Sequence, residues 1–226
     1  LFVFHAFFSA GQAVSHSFGP GFDAAECDEL LQLNTAFLDT TGQADFHDLA
    51  PGYRPDYRSA SLGLDNAWML WVRADSTVVI LLRGTTADPR SLLADFLCAM
   101  SPAKGRVVLG PSDTVAYQLA DLDRAAVHTG FLIGFAYLSR EMRMRTDSLY
   151  ARGYRNFLVA GHSQGGALCY YVSSWLYYLE RDGVYPGIRV KTYASAAPKM
   201  CNMYFAYDYE HIMREGWAYS VVNSAD

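Results

Sequence analysis

Asn156-Phe157-Leu158-Val159-Ala160-Gly161-His162-Ser163-Gln164-Gly165-Gly166-Ala167-Leu168 is the stretch on which the fold turns. Its first five residues form a short apolar run of the kind that makes a buried strand. From Gln164 to about residue 179 apolar residues recur at helical spacing. Between the two lies Gly-x-Ser-x-Gly. That pattern alone arises by chance in roughly one chain in ten of this length, so its setting decides. A strand–turn–helix with the serine at the bend is the context of a nucleophile elbow. Gly161 and Gly165 have a physical part in it, because strand and helix can approach closely at so sharp a bend only where no Cβ intervenes. The helix also brings a free N–H and its positive end beside Ser163. The plainer alternative is a glycine-rich turn carrying an idle serine. His162 adjoins Ser163, but successive side chains leaving a strand point to opposite sides, so it reads as structural rather than as a base.

Outward from this stretch the pattern alternates. Residues 67–72 and 77–82 read as two strands joined by the polar turn Arg73-Ala74-Asp75-Ser76, a hairpin. The second run is continuously apolar, as a strand buried on both faces should be, and it exits into Arg83-Gly84-Thr85-Thr86. Residues 88–100 suggest an amphipathic helix, 101–125 an irregular polar segment, and 130–150 a helix with Phe131, Leu132, Phe135 and Leu138 on one side. A strand at 188–193, a helix at 203–213 and a strand at 218–222 follow. Towards the N-terminus, Asp23-Ala24-Ala25-Glu26 opens a helix with Leu30, Leu31, Leu33, Ala36 and Phe37 as its apolar positions, and 42–55 reads as a surface connection. Strands alternating with helices predict an α/β fold with a largely parallel central sheet flanked by helices. In such sheets the working groups gather at the carboxyl ends of the strands, where Thr85, Ser163 and Asp226 all fall.

Length and composition set the outer bounds. A chain of 226 residues suits one domain, which could bury roughly 70% of its unfolded surface without staples or metal. We therefore expect a single domain over 1–226, with 1–60 as a helical and loop extension. A hydrophobic share of 51% against 18% charged residues is globular in type. The net charge of −5 argues against a nucleic-acid partner, which would call for a basic patch. No run approaches the roughly 20 apolar residues of a transmembrane segment; residues 1–10 are apolar but short and lack a basic flank. The 16 Tyr, 13 Phe and 4 Trp fit either a tight core or an aromatic-lined apolar cleft. Cys27, Cys98, Cys169 and Cys201 share no CxxC spacing, so no zinc site is visible and a disulfide is neither assigned nor dismissed.

Five pieces occur in an order that resembles the class 3 lipases, the fungal triacylglycerol lipase type with bacterial relatives in the α/β-hydrolase superfamily. They are Ile80-Leu81-Leu82-Arg83-Gly84-Thr85, Val127-His128-Thr129-Gly130-Phe131, the elbow from Val159 to Gly166, Thr192-Tyr193-Ala194-Ser195-Ala196-Ala197-Pro198 and Val221-Val222-Asn223-Ser224-Ala225-Asp226. The resemblance spans about residues 60–226. It implies a serine ester hydrolase acting on lipid esters through an acyl-enzyme on Ser163, with no metal or organic cofactor. The oxyanion hole it implies is Thr85 (backbone N–H with its hydroxyl) and the backbone N–H of Gln164; one such donor is typically worth about 3–4 kcal/mol of barrier. It further implies a lid after Thr85, with Leu92, Leu93, Phe96 and Leu97 able to cover the cleft or touch a lipid surface; the alternative is an ordinary core-facing helix. His128 becomes a hydrogen-bonded support for a helix start rather than a catalytic group, Asp95 a local helix anchor, and Asp226 the triad acid rather than a solvated chain end.

Two departures bear on the lid and acyl pocket: Cys201, where the family usually has glycine, and a long insert between residues 103 and 126. A third concerns the base. The triad order in this superfamily is Ser, Asp, His, yet nothing follows Asp226 here, and none of His5, His16, His47, His128, His162 and His211 occupies the family's position. The expectation is a piece of a longer protein whose histidine comes later. A noncatalytic lipid-binding descendant, or a base rerouted through His211 or His47, ranks behind. A phospholipase A1 or carboxylesterase would use the same machinery; a peptidase or thioesterase fits the Arg-Gly-Thr and Val-His-x-Gly-Phe pieces less well. An extracytoplasmic location and transient contact with a lipid interface also follow from the resemblance alone.

Overall fold

The computed structural model describes residues 16–38 and 50–223. The apolar start of the chain, part of the 42–55 connection, His5, His47 and Asp226 lie outside the described residues. Within them the strands are β1 (Tyr53–Arg58), β2 (Trp68–Arg73), β3 (Thr77–Leu82), β4 (Met100–Pro102), β5 (Lys104–Gly110), β6 (Asp113–Gln118), β7 (Ala126–His128), β8 (Asn156–His162), β9 (Arg189–Ser195) and β10 (Ala218–Val221). The helices are α1 (Ala24–Asn34), α2 (Pro89–Phe96), α3 (Thr129–Ala151), α4 (Gln164–Arg181) and α5 (Met203–Ile212).

Six strands form the central sheet in the order β1-β2-β3-β8-β9-β10. The pairs β1–β2 and β2–β3 are antiparallel, whereas β3–β8, β8–β9 and β9–β10 are parallel. The side-chain period of two divides the sheet's residues between two cores. Leu70, Val78, Ile80, Leu82, Phe157 and Val159 face a core filled by Phe131, Phe135 and Leu138 of α3 and by Leu168, Tyr171 and Val172 of α4. Met69, Trp71, Val79, Leu81, Leu158 and Ala160 face the other, closed by Cys27, Leu30 and Leu33 of α1 and by Phe37. A strand covered on both faces needs an unbroken apolar run, which is why β3 and β8 were readable as strands. The α/β-hydrolase fold is thus the observed architecture, with the carboxyl ends of β3, β8, β9 and β10 on one edge.

The structure departs from the sequence expectations at three places. The segment 101–125 is not irregular: β4 pairs with β7, and β5 and β6 form a hairpin with a bulge between Val108 and Gly110. That hairpin stands mostly in solvent, with Tyr117 its one buried apolar side chain, so it carries little hydrophobic pattern to read. The helix expected over 88–100 ends at Phe96, where Leu97 leaves helical geometry at ψ 60°. Pro55 lies inside β1 rather than in a loop, at the outer edge of the sheet beside a bulge, a position that needs no N–H from it. All four cysteines are free; Cys98 is exposed, Cys201 partly covered, and Cys27 and Cys169 buried.

Candidate active site

The parallel register places Leu82 of β3 opposite Gly161 of β8, so the segments leaving these strands run side by side. Ser163 leaves β8 at φ 56° and ψ −125° and caps α4. A side chain holds such a conformation only at a cost of about 1–3 kcal/mol, met by its surroundings. The Ser163 N–H donates to the Ser195 carbonyl at the end of β9 (2.9 Å), and its own carbonyl accepts from the Ala167 N–H (3.1 Å). The two glycines that flank it are steric requirements: a Cβ on Gly165 would stand 2.2 Å from the Leu82 carbonyl oxygen, and one on Gly161 2.6 Å from the Gly165 carbonyl. α4 therefore starts in contact with the exit of β3.

The same closeness brings in Thr85. Gly84 lies against the elbow, where a Cβ would be 2.8 Å from the His162 carbonyl oxygen and 3.6 Å from the Ser163 Cβ. The next residue, Thr85, donates its hydroxyl proton to Asp95 Oδ2 at 2.9 Å. A hydroxyl has a single proton, so here the open donor of Thr85 is its backbone N–H. The Gln164 N–H, at the first position of α4, is of the kind that has no partner within its own helix. Asp95 thus acts on the Thr85 side chain from the last turn of α2, a more specific contact than the local helix anchor expected of it.

Around these residues runs a polar chain that no motif announced. Ser91 Oγ donates to the Gln164 side-chain oxygen (3.2 Å) and accepts from the Thr86 N–H (3.1 Å). Gln164 Nε2 reaches Asn66 Oδ1 (3.4 Å), Thr86 Oγ1 donates to Asp65 (2.6 Å), and Asp65 pairs with Arg83 at 2.9 Å. These contacts span up to 98 residues of sequence, so a local pattern could not carry them; the cue available was a glutamine at a buried helix start.

Neither nearby histidine touches the serine hydroxyl. His162 Nδ1 is hydrogen-bonded to Ser195 Oγ at 3.1 Å, with the ring exposed, consistent with a side chain turned away from Ser163. His128 occupies the cap position of α3 but makes no side-chain cap bond; its ring stacks on Phe131 at 4.1 Å instead. Burial pushes the His128 ring below its ordinary pKa, against an opposing pull from Asp95, so it is neutral at neutral pH. His16 is held between Asp23 and Glu29, each at 2.9 Å, and His211 sits exposed at the end of α5. Asp226 lies past the carboxyl end of β10, outside the described residues. Over the elbow, α2 buries Ser91 and Ala94 and turns Leu92, Leu93 and Phe96 outward, at 42%, 48% and 78% exposure. Apolar residues of a core-facing helix would be covered. No helix among the described residues is long and apolar enough to cross a membrane.

Comparison with known proteins bears on the family and the fold. A family described as lipase (class 3) matches residues 79–226. Among solved structures, a lipase from Yarrowia lipolytica is 16% identical with a TM-score of 0.64, over 88% of this chain and 71% of that one. A triacylglyceride lipase from Rhizomucor miehei is 21% identical with a TM-score of 0.58, over 91% and 74%. A fungal lipase in complex with an inhibitor is 21% identical with a TM-score of 0.60, over 89% and 72%. No curated protein sequence matches the chain.

Proposed function

Since the chain belongs to the class 3 lipase family, a family of ester hydrolases, we propose that Ser163 is the nucleophile that forms an acyl-enzyme from a lipid ester. The observation that carries this reading is the strained Ser163 backbone at φ 56°, held between β8 and α4 with Gly84, the residue before Thr85, against the elbow. In the proposed cycle Ser163 Oγ attacks the ester carbonyl and a histidine takes its proton. The charge growing on the carbonyl oxygen is met by the N–H groups of Thr85 and Gln164 and by the positive end of α4. The histidine then protonates the leaving alcohol, and water, activated by the same base, releases the acid. Asp226 is the group proposed to fix that histidine's tautomer and to stabilise its charged form. The base is proposed to be a histidine outside the described residues, because His162 and His16 are hydrogen-bonded elsewhere, His128 stacks on Phe131 and His211 is exposed at the end of α5.

The outward Leu92, Leu93 and Phe96 on α2 favour aggregated lipid over a freely dissolved ester, since an apolar patch beside a site invites an apolar surface. Triacylglycerol is the substrate proposed; a phospholipase A1 or a carboxylesterase would draw on the same residues. Ser163→Ala in the full-length protein should abolish hydrolysis of p-nitrophenyl esters and of emulsified triacylglycerol while leaving thermal unfolding in place. Retained activity would remove Ser163 from the role.

A further inference from the structure

We propose that the side chain of Gln164 is a positioning residue that ties the oxyanion amide to α2, so that the seating of α2 and the aim of the Gln164 N–H are set together. The proposal rests on the catalytic reading above for its consequence in turnover, but its physical basis is separate. Gln164 is 2% exposed and Ser91 fully buried. A buried carboxamide is costly unless its polar atoms find partners, and an apolar side chain could fill this first-turn position of α4 without that demand. Here both ends of the amide are used. The oxygen takes the Ser91 hydroxyl proton at 3.2 Å, and the nitrogen donates to Asn66 at 3.4 Å.

Each partner is itself fixed. Asn66 exchanges backbone hydrogen bonds with Leu62 at 2.8 and 2.7 Å, and its amide lies over Gly134 of α3, 2.7 Å from where a Cβ would stand. Ser91 also accepts the Thr86 N–H at 3.1 Å. A single serine hydroxyl therefore joins the residue after Thr85 to the side chain of Gln164. The two backbone donors proposed for the oxyanion thus share one side-chain link, and that link stands on the first turn of α2. Displacing α2 would break the Ser91–Gln164 bond, strand a buried carboxamide oxygen, and release the Thr86 N–H in the same step.

The test uses Gln164→Leu, Ser91→Ala, the double variant, and Ser91→Thr, which keeps the hydroxyl. Two readouts are taken on the full-length protein: amide hydrogen exchange across residues 86–97, and kcat and KM on a soluble short-chain p-nitrophenyl ester. Both single changes should speed exchange in α2 and lower kcat about ten-fold with little change in KM, less than the loss of a whole donor. The double variant should lose less than the two singles combined, because the Ser91–Gln164 bond is shared while each change also removes a bond of its own, to Thr86 or to Asn66, and Ser91→Thr should restore both readouts. Unchanged exchange in both single variants, or strictly additive effects in the double, overturns the proposal. An inactive parent protein would overturn the catalytic reading instead, and the exchange arm would still decide the link.

Discussion

At the scale of single residues, Thr85 shows how much chemistry rests on one hydrogen bond. Its hydroxyl proton goes to Asp95, so in this arrangement the side chain holds the loop and the backbone N–H is the donor proposed for the oxyanion. Thr85→Val keeps the N–H and removes the tether. Its kcat should fall about ten-fold, against the ~100- to 1000-fold typical of deleting a donor outright; a loss at the upper end would mean that the hydroxyl itself meets the oxyanion. The strand–turn–helix at Ser163 and Gln164 was legible in the sequence because a nucleophile elbow constrains neighbours on the chain, and glycine at 161 and 165 betrays the close approach; Thr85 was reached only through the family resemblance. Asn66, Asp65 and Ser91 were not legible. Each is an ordinary polar residue whose partner lies far away in sequence, and only folding brings the pair together.

At the scale of elements, α2 is the informative piece. Asp88 caps it, accepting the Arg90 N–H at 2.8 Å, and Pro89 starts it with a preset φ. The sequence left open whether its apolar side faced the core or the outside. Ala94 and Ser91 take the inner positions, and the large apolar residues are left outside. If that face meets lipid, Phe96→Ser should reduce hydrolysis of emulsified triacylglycerol several-fold more than hydrolysis of a soluble short ester; equal losses would make α2 a purely structural cover. The alternation of strand and helix from residue 156 onward was readable because β8, α4 and β9 bury broad apolar runs, whereas α5 and β10 are only partly covered. The β5–β6 hairpin was missed for the opposite reason: its side chains stay mostly in solvent, and only Gly110-Pro111-Ser112-Asp113 marked the turn.

At the scale of the whole molecule, the face of the sheet opposite α3 and α4 is closed by α1 through a buried ionic cluster. Glu26, 1% exposed, receives hydrogen bonds from Arg73 of β2 (2.5 Å) and from Lys191 (2.6 Å) and Tyr193 (2.8 Å) of β9. Burial alone would raise its carboxyl, but these three donors hold it below the usual carboxylate range. A depressed folded-state pKa gives stability that is present above the unfolded value and is lost as pH falls through the folded one. Glu26→Gln should therefore flatten the acid limb of Tm against pH; an unchanged limb would show that other carboxylates govern it. Glu26→Ala, which leaves the buried Lys191 without its carboxylate while Arg73 keeps its pair with Asp75, should cost about 3–5 kcal/mol. Above this base the sheet presents the ends of β3, β8 and β9 together, and the account comes down to whether Ser163 reacts there. Treating the full-length protein with a fluorophosphonate ester probe and mapping the modified peptide tests this directly. The account predicts one adduct, on Ser163, absent in Ser163→Ala; no adduct, or one that persists in the variant, would contradict it.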